Sequence, residues 1–167
     1  MRILALDHGT KRIGVAVSDE MKMIATPLEF IPAEPLAGFL ARHADCTILA
    51  TCRRHQNMGR FNGSVEEQIR VLESAIEAGA QAVDVEIESA EVCGPRLETL
   101  RSHAYLLLSY HNYGGTQAPD VVLRRMQRVS ADGYKIVTTA KKPSDNCKLL
   151  DVAREHPRVP MVLLAMG

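Results

Sequence analysis

Short apolar runs rich in β-branched residues recur along most of the chain and predict buried strands. They cover residues 47–51, 82–87, 104–109, 134–138 and 159–164. The stretch between successive runs is long enough for a helix. Such alternation implies parallel strands joined by right-handed crossovers. The pattern therefore predicts an α/β fold.

Helical periodicity fills the intervals between these runs. Ser64 and Glu67 have the spacing of a capping box, which predicts the start of a helix over residues 64–78. Pro119 is suited to a first helical turn and predicts the start of a second helix. Weaker helical patterns cover residues 95–103 and 143–156.

The first part of the chain follows a different pattern, which predicts an N-terminal segment (residues 1–45) distinct from the α/β part (residues 46–167). Two strand-like segments, residues 2–7 and 12–18, flank a short turn and predict an antiparallel β-hairpin. Prolines then predict an irregular connection, and a short helix is expected near residues 36–43. These prolines are Pro27, Pro32 and Pro35.

Composition narrows the classes of function. The 20 basic and 20 acidic side chains cancel, and aromatic residues make up only 4% of the chain, which argues against a nucleic-acid partner. The four cysteines are scattered without a C-x-x-C pair, a pattern that fits a reducing cytoplasm. The sequence lacks a signal-peptide pattern and an 18-residue apolar stretch. We therefore expect a cytoplasmic protein without a membrane partner.

Polar residues occur near the carboxyl ends of the predicted strands or within them. Singly, each has an ordinary structural explanation, since a strand lysine usually faces solvent and a strand-end histidine usually satisfies a hydrogen bond. On successive parallel strands, however, such residues can converge at one end of the sheet. Glu88 extends an alternation of acidic and apolar residues that predicts a strand with one acidic face. The candidates are Arg53, Asp84, Glu86, His111 and Lys135.

An amine, an imidazole, a carboxylate and a guanidinium together suit carbonyl chemistry. An amine that loses solvation among apolar neighbours has a lowered pKa and can attack a ketone to form an imine. The protonated imine acidifies the adjacent C–H, and a histidine can remove that proton near neutral pH. The pattern predicts Lys135 as the nucleophile and His111 as the base.

Several motifs, in order, resemble those of type I 3-dehydroquinate dehydratases. They are Thr51-Cys52-Arg53-Arg54, Gly59-Arg60-Phe61, Gly63-Ser64-Val65-Glu66-Glu67, Val83-Asp84-Val85-Glu86, Ser109-Tyr110-His111-Asn112-Tyr113, Tyr134-Lys135-Ile136 and Ala165-Met166-Gly167. Each motif alone is weak, but their shared order and spacing are specific. The resemblance covers residues 46–167.

This resemblance implies a (β/α)8 TIM barrel and a lyase of the shikimate pathway of aromatic amino acid biosynthesis, which dehydrates 3-dehydroquinate to 3-dehydroshikimate. It implies that Lys135 forms a Schiff base with the substrate ketone and that His111 moves the C2 proton to the departing hydroxyl. It implies neither a metal nor a cofactor. The implied substrate-binding residues are Arg53, Asp84, Glu86 and Met166.

The sequence departs from the family's pattern in three places. The loop at residues 55–58 lacks the glutamate that contacts the histidine in that family, and residues 27–30 lack its Glu-x-Arg pair. The sequence ends at Gly167, before the loop with the substrate-carboxylate arginine and the last strand. We therefore expect an incomplete barrel with five parallel strands from this part and impaired activity. Its open edges would favour a homodimer.

The N-terminal segment resembles another family. Residues 2–19, which include Asp7-His8-Gly9-Thr10-Lys11, are similar to the start of the Holliday-junction-resolvase-like family of pre-16S rRNA nucleases, and the resemblance covers residues 1–39. That family has a ribonuclease H fold, and Asp7 matches its first metal-binding carboxylate. Such nucleases need several carboxylates for their divalent ions. A nuclease acting on structured RNA or DNA junctions is thus the alternative function, and a non-catalytic remnant is a third.

Overall fold

The computed structural model describes residues 2–8, 12–21, 25–32 and 46–167. The eight described strands form one mixed sheet that curls into a half-barrel. The strands are β1 (Ile3–His8), β2 (Arg12–Ser18), β3 (Ala25–Pro32), β4 (Thr47–Thr51), β5 (Ala82–Glu86), β6 (Tyr105–Asn112), β7 (Gly133–Thr139) and β8 (Met161–Met166). The helices are α1 (Val65–Glu77), α2 (Ile87–Cys93), α3 (Pro95–His103), α4 (Pro119–Met126) and α5 (Pro143–Glu155), and His55–Asn57 form a short 3₁₀ helix.

The strand order is β3-β2-β1-β4-β5-β6-β7-β8, so β3 and β8 are the two edges of the described sheet. Strands β4 to β8 are parallel to one another, which confirms the five predicted parallel strands. Strand β1 pairs antiparallel with β2 and parallel with β4. The predicted incomplete barrel with an N-terminal hairpin is confirmed.

The main core lies between the convex face of the sheet and the helices. Alternate residues of the central strands point toward this layer, as in Leu106 and Leu108 of β6, which are fully buried. Leu72 of α1 and Leu123 of α4 are buried in the same cluster. The alternation leaves the other set of strand residues on the concave face, where the polar candidates lie.

The helix boundaries follow local chemistry. The Ser64 hydroxyl accepts a hydrogen bond from the Glu67 backbone N–H, and the Glu67 carboxylate accepts one from the Ser64 backbone N–H, so the predicted capping box is present. Pro119 lies in the first turn of α4, as predicted. The predicted helices over residues 95–103 and 143–156 correspond to α3 and α5.

The predicted irregular connection around Pro27 and Pro32 is wrong, because these residues belong to β3. Proline lacks a backbone N–H and is therefore disfavoured inside a sheet, but it is tolerated on an edge strand. Strand β3 pairs only with β2 among the described strands, so its other side needs no N–H donors. Pro35 and the predicted helix near residues 36–43 lie outside the described residues.

The prediction that Glu88 belongs to the acidic face of a strand is wrong. Strand β5 ends at Glu86, and Glu88 lies instead in the first turn of α2. Acidic residues are favoured there because the helix dipole places partial positive charge at its amino terminus. Only Asp84 and Glu86 therefore share the strand.

Candidate active site

An ion pair between Lys135 of β7 and Asp84 of β5 forms the centre of the candidate site. The Nζ of Lys135 donates a hydrogen bond of 2.7 Å to Oδ2 of Asp84, and the two side chains are 20% and 3% exposed. Burial acts to raise the pKa of Asp84, but the charge and hydrogen bond of Lys135, together with smaller contributions from neighbouring polar groups, hold that pKa below its usual range. Asp84 is therefore a carboxylate at neutral pH.

The ion pair lies at the wall of a cavity of about 340 Å³. Arg53, in the segment that follows β4, adds a second positive charge to this wall. The opposite wall comes from the N-terminal strands and carries small or apolar residues. The residues of that wall are Ala5, Gly14, Val15, Ala16, Pro27 and Leu28.

His111 lies near the carboxyl end of β6, two residues beyond Ser109, the register partner of Lys135. Both of its ring nitrogens are buried and have no hydrogen-bond partner among the described residues. The ring stacks against Tyr113 with its centroid 6.3 Å away. His111 does not line the 340 Å³ cavity. Its unpartnered nitrogens leave it free to accept a proton.

The electrostatics of His111 connect it to the ion pair. Burial is the main reason that the pKa of His111 is lowered to about 4. The positive charges of Arg53 and Lys135 lower it further, whereas the carboxylate of Asp84 opposes the change. These three charged groups therefore lie close enough to act on the imidazole. At neutral pH the ring is uncharged, as a proton acceptor must be.

Glu86, the other acidic candidate on β5, binds the backbone of the segment that follows β4. Its Oε1 accepts a hydrogen bond of 2.9 Å from the backbone N–H of Arg54, and its Oε2 accepts one from the side-chain amide of Gln68. Burial is the largest cause of the raised pKa of Glu86. With both oxygens occupied, Glu86 anchors the segment that carries Arg53.

Gln68 completes this anchor, and the sequence patterns did not identify it. Its amide nitrogen also donates a hydrogen bond of 2.7 Å to the backbone carbonyl of Cys52, so Gln68 joins α1 to the end of β4. The side chain is fully buried. A polar residue next to Ile69, on the side of α1 that faces the sheet, was the available clue.

Gly59 allows the segment after Arg53 to fold back closely. The backbone N–H of Phe61 donates a hydrogen bond of 3.1 Å to the Arg53 carbonyl, which closes the loop. A Cβ atom at position 59 would lie 2.0 Å from that carbonyl oxygen. Only glycine fits here without displacing the backbone of Arg53.

Met166, the remaining candidate, lies on β8 in register with Thr139. Its carbonyl accepts a hydrogen bond of 2.7 Å from the backbone N–H of Ala140. Met166 is partly buried and does not line the cavity that contains Lys135. The structure thus brings together Arg53, Asp84 and Lys135, with His111 within their electrostatic reach, and places Met166 apart.

The described residues form neither a metal-binding cluster nor a membrane-spanning helix. Within the described residues, no three or more His, Cys, Asp or Glu side chains are grouped so that they could hold a metal ion. None of the described helices combines the length and the apolar character needed to span a bilayer.

A family model for type I 3-dehydroquinase matches residues 30–167. The chain belongs to the type I 3-dehydroquinase family. A 3-dehydroquinate dehydratase of Dehalococcoides mccartyi is 40% identical over 126 residues, covering 74% of this chain and 56% of that protein. A 3-dehydroquinate dehydratase of Syntrophobacter fumaroxidans is 32% identical over 143 residues, covering 80% of this chain and 58% of that protein. The chain thus spans somewhat more than half the length of these relatives.

Solved structures show the same fold. A type I 3-dehydroquinate dehydratase of Clostridium difficile superposes with a TM-score of 0.71 at 20% identity, over 79% of this chain and 56% of that one. The 3-dehydroquinate dehydratase of Geobacillus kaustophilus HTA426 superposes with a TM-score of 0.68 at 26% identity, over 79% of this chain and 55% of that one. A second family model, described as Holliday junction resolvase, matches residues 1–58 and overlaps the type I 3-dehydroquinase match.

We predict that Gly59→Ala destabilises the protein by about 1–3 kcal/mol, because the added methyl group displaces the Arg53 backbone. Urea denaturation measures this change in the free energy of unfolding. Gly114→Ala is the matched control, since its Cβ meets only a side-chain oxygen of Asn112 at 3.2 Å. Equal stability of the two variants would contradict the close approach at residue 59.

We also predict that stability falls as the pH decreases from about 6.5 to about 4. In this window the unfolded chain protonates His111, whose ordinary pKa is 6.5, while the folded protein does not. The loss should be about 1–2 kcal/mol after allowance for solvent screening. The ionised carboxylate of Asp84 also stabilises the folded protein, because its pKa is lowered on folding. This contribution is lost only at lower pH, where the carboxylate is protonated.

Urea denaturation at several pH values tests this dependence on His111. His111→Gln should flatten the change between pH 6.5 and pH 4, whereas His55→Gln, at an exposed position, should leave it in place. A wild-type pH dependence in the His111 variant would show that the ring is not held neutral by its surroundings.

Proposed function

We propose that this chain dehydrates 3-dehydroquinate to 3-dehydroshikimate through a Schiff base on Lys135. The observation that carries the proposal is the 2.7 Å contact between Lys135 Nζ and the buried carboxylate of Asp84 at the wall of a cavity. Membership of the type I 3-dehydroquinase family and its dehydratase relatives support the reaction assigned to that amine.

The first step is imine formation at Lys135. The amine nitrogen, after giving up a proton, attacks the ketone carbon, and the ketone oxygen then leaves as water. Asp84 aims Nζ through its hydrogen bond and keeps a negative charge beside the nitrogen when the imine is protonated. A charge held in place before reaction needs little rearrangement when positive charge develops on the substrate.

His111 carries the second step. The protonated imine draws electrons from the neighbouring C2–H bond, and an uncharged imidazole can take that proton. The same ring then returns the proton to the departing hydroxyl, so that water leaves and the carbon–carbon double bond forms. The unpartnered, buried nitrogens of His111 and its lowered pKa support this role.

Arg53, Asp84, Glu86 and Met166 are the proposed substrate-binding residues. Arg53 lines the cavity and can donate hydrogen bonds to substrate hydroxyls. Glu86 supports the substrate indirectly, because it fixes the backbone beside Arg53. The described residues of the wall formed by Pro27 and Leu28 offer no charged contact, and each missing charge-assisted hydrogen bond costs on the order of 1.5–3 kcal/mol. Substrate binding should therefore be loose and turnover slow.

The proposal extends to the cellular setting and assembly. We place the enzyme in the cytoplasm, without a metal or another cofactor, and assign residues 1–45 and 46–167 to the hairpin segment and the dehydratase part. The edge strands β3 and β8 present backbone groups that can pair with a second copy, which favours a homodimer.

We predict that borohydride with millimolar 3-dehydroquinate leaves a covalent adduct on Lys135, because the hydride reduces the imine to a stable secondary amine. Peptide mass spectrometry locates the adduct, and product formation is followed in the same samples without borohydride. Lys135→Ala should abolish the adduct. His111→Ala should still form it but yield no product, since only the proton transfer is lost.

Lys141 and Lys142 serve as internal controls, because both lie beyond the end of β7 and do not line the cavity that contains Lys135. An adduct distributed equally over these lysines and Lys135 would count against a formed site. The absence of any adduct at every substrate concentration would have the same meaning.

A further inference from the structure

The concave face of the half-barrel contains a second cavity, of about 470 Å³, beside the one at Lys135. It lies toward the amino ends of the strands, where Ala82 and Tyr105 begin β5 and β6. Its walls are mostly apolar, and none of the described residues that line it has a charged side chain. A cavity of this volume and character is typical of sites that bind small apolar molecules.

The two cavities are neighbours, because Leu49 of β4 lines both. Val162 of β8 lines the apolar cavity and is the register partner of Lys135. We refer to the two neighbouring cavities together as the trough. The trough has the amine of Lys135 at its polar end and apolar walls along the rest of its length.

Apolar side chains of the trough are unusually open to solvent. Val162, which lines the apolar cavity, is 50% exposed. Leu28, on the hairpin side, is 54% exposed. Covering such surface with an apolar ligand is favourable, because the ligand and the walls both leave water.

We propose that the trough binds aliphatic ketones or aldehydes, with the carbonyl group at Lys135 and the alkyl chain along Leu49, Leu107 and Val162. The inference rests on the reactive Lys135 amine of the proposed function and extends it to a different class of ligand. A polyhydroxylated acid uses Arg53 and Asp84, whereas an alkyl carbonyl uses the apolar walls.

The covalent step is the same imine chemistry and is balanced without another reactant. The Lys135 ammonium and the carbonyl compound give a protonated imine and one molecule of water. A nitrogen–carbon bond forms, the carbon–oxygen bonds of the carbonyl break, and the oxygen leaves with two protons from the ammonium. The reaction is reversible, so the alkyl chain contributes by keeping the ligand in place.

A homologous series of methyl ketones tests the proposal on the full chain. 2-Butanone, 2-hexanone and 2-octanone are each titrated with borohydride present, and the adduct on Lys135 is quantified by mass spectrometry. The concentration for half-maximal trapping should fall about fourfold for each added methylene, as expected for transfer of a methylene out of water. Lys135→Ala should remove the adduct for every ketone.

Val162→Thr keeps the size of the side chain but makes the trough wall polar. It should raise the concentration of 2-octanone for half-maximal trapping several-fold while leaving that of 2-butanone unchanged. Val121→Thr is the matched control, because Val121 on α4 is 53% exposed and lies outside the trough. Circular dichroism checks that both variants are folded.

The outcomes separate this inference from the proposed function. If 3-dehydroquinate is trapped but ketone trapping does not depend on chain length, this inference alone is overturned. The same conclusion holds if a second copy of the chain covers the trough and prevents that dependence. Ketone trapping with the expected dependence, but none with 3-dehydroquinate, would support the inference and overturn the dehydratase proposal. Ketone adducts spread over Lys141 and Lys142 would overturn the inference.

Discussion

The hydrogen-bonded ion pair between Lys135 and Asp84 is the interaction on which the site depends. A buried carboxylate is costly unless a positive charge stands beside it, and removing one partner of such a pair typically costs about 3–5 kcal/mol. Because Lys135 and Asp84 lie on β7 and β5, their contact spans the intervening strand β6. The same contact aims the amine into the cavity. The charge of Asp84 and the position of the Lys135 Nζ thus have one structural cause.

The open sheet gives this ion pair an unusual setting. In a closed barrel of parallel strands, layers of side chains fill the interior. Here the described strands form a sheet with two edges, and antiparallel strands β2 and β3 form one wall of the cavity. That wall contributes Gly14, Ala16, Pro27 and Leu28, which leave space and offer no charge. Among the described cavity residues, the charged side chains come from the parallel strands and the segment that follows β4.

Much of the fold was predictable from the sequence because local chemistry determines it. The capping box at Ser64 and the proline at residue 119 define helix starts through their own backbone groups. Strand β3 was missed because the tolerance of its prolines depends on an edge position, which is a property of the whole sheet. Glu88 was misplaced because its alternation with apolar residues continues past the point where the backbone turns into α2.

The candidate site was predictable in its residues but only partly in their contacts. The order of the predicted parallel strands suggested that Lys135 and Asp84 share a pocket, and the family resemblance pointed to Arg53 and His111. The anchoring role of Glu86 and its partner Gln68 was not visible, because it requires knowledge of how α1 packs beside the end of β4. Contacts between distant elements depend on packing, which no short motif contains.

Exchange of the C2 hydrogen of 3-dehydroquinate in deuterated buffer tests the central claim most directly. Loss of the C2 proton signal, followed by NMR, reports imine activation by Lys135 and proton removal by His111 even where dehydration is slow. The account predicts exchange faster than in buffer alone and no acceleration by Lys135→Ala or His111→Gln. Exchange at the buffer rate, or acceleration that survives Lys135→Ala, would contradict it.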